Sequence, residues 1–185
     1  QIGTAKYGVR DPQGRLSPER LTEIAAHEQV KMFEIKLSQG AKPGKGGVLP
    51  GSKVNAEIAR IRAIPEGEDS FSPNRHPEVS TPQDLLDLIE QVRSISGKPV
   101  GIKAVIGDRR WLEEFFTAIL NRGAHSAPDF ISVDGAEGGT GAAPASLIDF
   151  MGLPLRESLP LVVDLLNKFG PVSYTHLTLP TIPGV

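Results

Sequence analysis

At 185 residues with 39% hydrophobic content, the chain has the size and composition of one globular domain or part of one. Its formal net charge of −2 gives no electrostatic ground for binding nucleic acid or an anionic membrane surface, and no apolar run reaches the roughly 18 residues of a membrane-spanning helix. Cysteine is absent, which excludes disulfides and thiolate metal sites within this stretch. No export signal opens it, so the cytoplasm is the expected compartment.

Taken in chain order, residues 1–5 read as a strand, and because Gln1 is no initiator the chain is expected to begin inside a larger protein. Ser17-Pro18-Glu19 opens a helix, with a serine cap, a proline at the first position and an acid in the first turn. Residues 32–37 alternate apolar and polar as a half-buried strand does. A glycine-rich loop with Lys42 and Lys45 follows. A helix is then expected over about 53–63, with Val54, Ile58 and Ile61 inward. Residues 64–80 form a long polar excursion, a length usually functional or disordered. Thr81-Pro82-Gln83-Asp84 starts another capped helix with a stripe of Leu85, Leu88, Ile89, Val92 and Ile95, ended by Gly97. Strands are expected over 100–106 and 129–134, and helices over 111–122 and about 157–169.

The first glycine-rich loop is not a P-loop. Gly40 and Gly44 stand one residue too close, and Gly46 follows Lys45 where that motif needs a hydroxyl. The second, residues 135–144, lacks the third glycine of a dinucleotide fingerprint, since Pro144 stands there. Each loop follows a strand, and glycine lets backbone N–H groups approach a ligand closely. Strands alternating with helices predict a parallel sheet. The unusual residues gather at strand carboxyl ends, as in a β/α barrel, and the visible strands amount to about the first half to middle of a (β/α)8 TIM barrel. Residues 1–170 are thus expected to form an incomplete barrel domain, inactive and poorly folded alone because half a barrel leaves open sheet edges.

Lys36-x-x-Gln39-Gly40-Ala41-Lys42-Pro43-Gly44-x-Gly46-Gly47-x-Leu49-Pro50 resembles the signature of the synthase domain of glutamate synthase, an FMN-dependent barrel. The resemblance extends over Ser72 to Glu78, Lys103 with its neighbours, Gly138-Gly139-Thr140-Gly141-Ala142-x-Pro144 and Gly152-Leu153-Pro154-Leu155. Its details are nearest to short, stand-alone members without the glutaminase domain. It implies reductive amination of 2-oxoglutarate to L-glutamate by hydride from reduced FMN to 2-iminoglutarate, with ammonia supplied free or from glutamine. It further implies an electron donor, NADPH-linked or a ferredoxin, and an iron–sulfur cluster whose ligands lie outside this segment. Within the resemblance Lys36 and Lys103 are the lysines expected at the flavin, with Gln39, Gly138, Gly139 and Thr140 as further cofactor contacts. Lys42 and Arg62 match the contacts to 2-oxoglutarate. Lys36 and His76 are the candidate catalytic residues, with two readings of His76 open, a general acid or a solvated loop histidine; no metal ligands are expected. Val48 stands where the large enzyme often has a polar residue.

Three other readings of the residues stay open: a barrel that binds a dicarboxylate or phosphate without turnover, a related flavoenzyme with a different substrate, and a nucleotide phosphohydrolase built on the first loop. Residues 171–185 carry no Asp, Glu, Lys or Arg and no periodic pattern. They resemble read-through of a synthetic adapter and are expected to be a non-native tail.

Overall fold

A computed structural model describes residues 1–37, 47–137 and 151–170. Helix α1 (Pro18–Ala26) begins where the Ser17 hydroxyl accepts from the Arg20 N–H at 3.3 Å and buries Leu21 and Ala25. Strand β1 (Phe33–Lys36) follows. A two-residue strand β2 (Val48–Leu49), a 3-10 turn (Gly51–Lys53) and helix α2 (Ala56–Arg62) come next, then β3 (Ser70–Phe71). Helix α3 (Pro82–Ser96) carries a reciprocal capping box between Thr81 and Asp84 and ends at Gly97 in the left-handed conformation, φ 62°. Strand β4 (Val100–Val105), helix α4 (Arg109–Arg122), strand β5 (Ile131–Asp134) and helix α5 (Leu155–Phe169) complete the described chain.

Among the described residues the main sheet is parallel and three-stranded, in the order β1-β4-β5. Ile2 bridges the outer edge of β1 in parallel through Ile35. Sheet order therefore equals chain order, and α1, α3, α4 and α5 pack against one another in that same order along one face. Phe33, Ile35, Val100, Ile102 and Ala104 point to the helices and are buried with Leu85, Ile89, Phe115, Phe116 and Val162. Alternation sends Glu34, Lys36, Lys103, Ser132 and Asp134 to the opposite face, where each is half-buried. Gly101 lies on that face too. A Cβ there would come within 2.4 Å of the Phe130 ring, which occupies the space a side chain would need.

Two expectations are corrected. The N-terminal strand reduces to one bridging residue, because the chain turns at Thr4 with the Lys6 N–H donating to the Gly3 carbonyl at 2.9 Å. Helix α2 starts at Ala56 rather than near 53, and Ile61 is 46% exposed instead of inward. The physical reason is position: this two-turn helix stands off the main sheet and buries none of its own residues fully, whereas Val54 before it is buried. The 64–80 excursion is ordered by β3, which pairs antiparallel with β2.

Gly51 closes that region. Its N–H donates to Asp69 Oδ1 at 2.6 Å, and a Cβ would lie 2.3 Å from the Gly67 carbonyl oxygen. Because that neighbour is backbone, Gly51→Ala is expected to lower the stability of the parent protein by roughly 1–3 kcal/mol, the usual cost of overpacking. A urea midpoint unchanged from the unmodified protein would contradict this close approach.

Candidate functional site

Parallel pairing sets Lys36 in direct register with Lys103, and Lys103 with Ser132. Two lysines from strands far apart in sequence thus stand side by side near the carboxyl ends of β1 and β4. Asp134, the last residue of β5, reaches Lys103 Nζ at 3.5 Å. One turn of the pleat below, both oxygens of Glu34 are taken: Gln1 Nε2 and the Ser132 hydroxyl each donate to it at 2.5 Å. Half-buried charge and hydroxyl are partnered here, as polar groups leaving water must be. The result is a polar face with ammonium groups at its rim, able to hold an anionic or electron-rich ligand.

His76 lies on the segment after β3 and is 2% exposed. Its Nε2 is 3.1 Å from the Lys36 carbonyl oxygen, and since a carbonyl only accepts, Nε2–H is the donor. Among the described residues, Nδ1 is buried without a hydrogen-bond partner. A cavity of about 200 Å3 beside the ring is lined by Leu37, Arg75, Ser80, Ala104 and Trp111 among others. Burial holds the imidazole below its ordinary pKa of 6.5; the Lys36 carbonyl and Glu78 oppose that shift, and the Lys6 ammonium adds to it. Because the folded pKa is depressed, the unfolded chain takes up a proton below about pH 6.5 that the folded state refuses. The stability contribution of neutral His76 is therefore full above that pH and falls as acid is added, by at most about 1.4 kcal/mol per pH unit. Urea midpoints of the parent protein and its His76→Gln variant at pH 7.5 and 5.5 are expected to show the variant losing less on acidification. Equal losses would contradict this assignment.

Arg62, the last residue of α2, holds its guanidinium 4.8 Å from the Tyr7 ring centroid. Arg10 approaches the same ring at 5.9 Å, and the Tyr7 hydroxyl bonds Ser70 Oγ at 2.6 Å. Lys6 is 1% exposed and pairs with Glu78 through both carboxylate oxygens, at 2.8 and 2.9 Å.

Lys36 and Lys103 are therefore neighbours across β1 and β4, and the His76 ring meets the Lys36 backbone carbonyl, while Arg62 lies over Tyr7. Gln39, Lys42, Gly138, Gly139 and Thr140 lie outside the described residues. Sequence reasoning counted Asp134 among the unusual strand-end residues but gave it no partner, and it assigned no role to Glu34, Ser132, Tyr7 or the Lys6–Glu78 pair. Asp134 carried a signal, an acid at a strand end; the others needed the strand register or the path of the loop. Among the described residues no group of three or more His, Asp or Glu side chains could hold a metal ion, and no helix is long and apolar enough to cross a membrane.

The parallel sheet, with helices following its strands and Lys36 in register with Lys103, makes the described part of the chain an α/β protein of parallel type. The particular family follows from comparison with known proteins. The model of the conserved region in glutamate synthase matches residues 1–177, and the chain belongs to the glutamate synthase family. It is 45% identical over 170 residues to the glutamate synthase large subunit-like protein YerD of Bacillus subtilis, covering 92% of this chain and 32% of YerD. It is 36% identical over 181 residues to the archaeal glutamate synthase [NADPH] of Methanocaldococcus jannaschii, covering 92% and 30%. A ferredoxin-dependent glutamate synthase of Cyanidium caldarium is 35% identical over 156 residues, covering 83% and 9%. The chain thus spans about a third of the length of the first two relatives.

Proposed function

We propose that the chain is a portion of a glutamate synthase-like flavoenzyme that reductively aminates 2-oxoglutarate to L-glutamate. The observation that carries this reading is the register of Lys36 beside Lys103 on the polar face of the sheet. FMN, when bound, supplies the hydride that reduces 2-iminoglutarate. The residues present suit that group: two ammonium groups at the carboxyl edge stabilise negative charge on a reduced ring system, and Asp134 holds Lys103 in place at 3.5 Å. Gln39, Gly138, Gly139 and Thr140 are proposed as the remaining contacts. Lys42 and Arg62 are proposed to bind the two carboxylates of 2-oxoglutarate, Arg62 oriented by its position over Tyr7.

The same reading makes the sheet part of a (β/α)8 barrel. Strands in sequential order, helices on one face and charge on the other support this, since a parallel sheet is normally covered on both faces and a barrel turns one face inward. Residues 1–170 would be barrel and 171–185 an appended segment. Electrons would come from a partner linked to NADPH or a ferredoxin, in the cytoplasm. Any iron–sulfur ligands belong to other parts of the protein, for this chain has no cysteine.

The test uses the complete parent protein. Purified material is expected to release stoichiometric FMN on denaturation, and 2-oxoglutarate is expected to perturb the visible spectrum of the oxidised protein saturably. Flavin-free protein without 2-oxoglutarate binding would defeat the proposal.

A further inference from the structure

We infer that His76 is a positioning residue: its Nε2–H supplies the ladder hydrogen bond that the departing N-terminal segment leaves open at Lys36. The inference rests on the reading of Lys36 as a flavin-facing lysine. On the outer edge of β1 the Ile2 N–H donates to the Glu34 carbonyl at 2.7 Å, and the Lys36 N–H donates to the Ile2 carbonyl at 2.8 Å. A parallel ladder would next bring the residue-4 N–H to the Lys36 carbonyl. The chain instead turns at Thr4, whose hydroxyl donates to the Pro73 carbonyl at 2.5 Å. His76 fills the opening at 3.1 Å.

The histidine is itself held. Its segment is tied to the first ten residues by Tyr7 to Ser70, Thr4 to Pro73 and the buried Lys6 to Glu78. On the other side of β1, the Leu37 N–H donates to the Lys103 carbonyl at 2.8 Å. The backbone of Lys36 is thereby fixed from both flanks, and its side chain leaves toward the polar face beside Lys103 from an anchored strand end. The ring has one N–H, which is committed to this bond, and its Nδ1 is sealed from solvent. That geometry suits a fixed donor rather than a group that exchanges protons with a ligand.

Two substitutions in the complete parent protein separate the roles. His76→Gln retains an N–H donor of similar reach but cannot act as an acid near neutrality; His76→Leu retains bulk and loses the donor. In His76→Leu, flavin is expected to dissociate on the order of tenfold faster, matching the loss of one buried hydrogen bond. Its visible spectrum should shift in the same direction as that of Lys36→Ala. His76→Gln should restore flavin retention, spectrum and the pH dependence of kcat. Loss of turnover together with a changed pH profile in His76→Gln would overturn the inference in favour of acid catalysis. Normal flavin retention and spectrum in His76→Leu would overturn it in favour of a passive ring. Backbone amide exchange around residues 36–37 and 70–80 gives a readout independent of flavin, faster in His76→Leu and restored in His76→Gln. If the parent protein holds no flavin, the flavin reading fails while amide exchange still decides whether His76 anchors the strand end; unchanged exchange in His76→Leu counts against it.

Discussion

Glu78→Ala is expected to destabilise the parent protein by roughly 3 kcal/mol, because it leaves the Lys6 ammonium buried without its counter-charge. Lys6 is 1% exposed while Glu78 is 40% exposed, so the two ends of the pair are not equivalent. Removing the lysine releases a carboxylate that water already reaches, whereas removing the glutamate strands a charge. That asymmetry sets the figure at the low end of the cost of breaking a buried pair. It also predicts that Lys6→Met is milder than Glu78→Ala, and that Lys6→Met in the Glu78→Ala background recovers much of the loss. Lys6 adds one further cost in the native fold, a φ of 51° that side-chain-bearing residues seldom adopt. Chemical denaturation of the three variants measures the effect. A Glu78→Ala midpoint equal to that of Lys6→Met would show that the buried ammonium is satisfied elsewhere.

The second large effect is on binding. Arg62→Ala is expected to weaken 2-oxoglutarate binding by ten- to a hundredfold, from the roughly 1.5–3 kcal/mol of a charge-assisted hydrogen bond, and Lys42→Ala by a similar factor. Flavin content should stay near normal in both, while Lys36→Ala should disturb the flavin and not the dicarboxylate. Arg62→Lys should recover only part of the loss, since an ammonium can neither pair bidentately nor reproduce the guanidinium held 4.8 Å from the Tyr7 ring centroid. Spectral titration with 2-oxoglutarate alongside flavin quantitation measures all four. Wild-type affinity in Arg62→Ala would make Arg62 a surface cation lying over a tyrosine.

The main elements of this fold could be read from the sequence because their signals are local. Ser17 with Pro18, and Thr81 with Asp84, cap the helices they were expected to start, and alternation in Phe33 to Lys36 gives the strand and its two faces. What could not be read depends on partners far along the chain. Glu78 meets Lys6 across 72 positions, and His76 meets the Lys36 carbonyl across 40. Strands β2 and β3 have two residues each, too few for any period. Lys36 and Lys103 each looked like strand-end lysines, but their adjacency, and with it the Asp134 contact, follows from sheet order alone. Ile61 went wrong because an apolar residue at helical spacing is buried only if something lies against that face.

The most direct test of the central claim is a single turnover. The complete parent protein is reduced with dithionite under anaerobic conditions and mixed with 2-oxoglutarate and ammonia. The flavin absorbance should return, with one L-glutamate formed per flavin reoxidised, and neither compound alone should suffice. A flavin that stays reduced in the presence of both, in protein that binds 2-oxoglutarate, would contradict the assignment of this site to reductive amination.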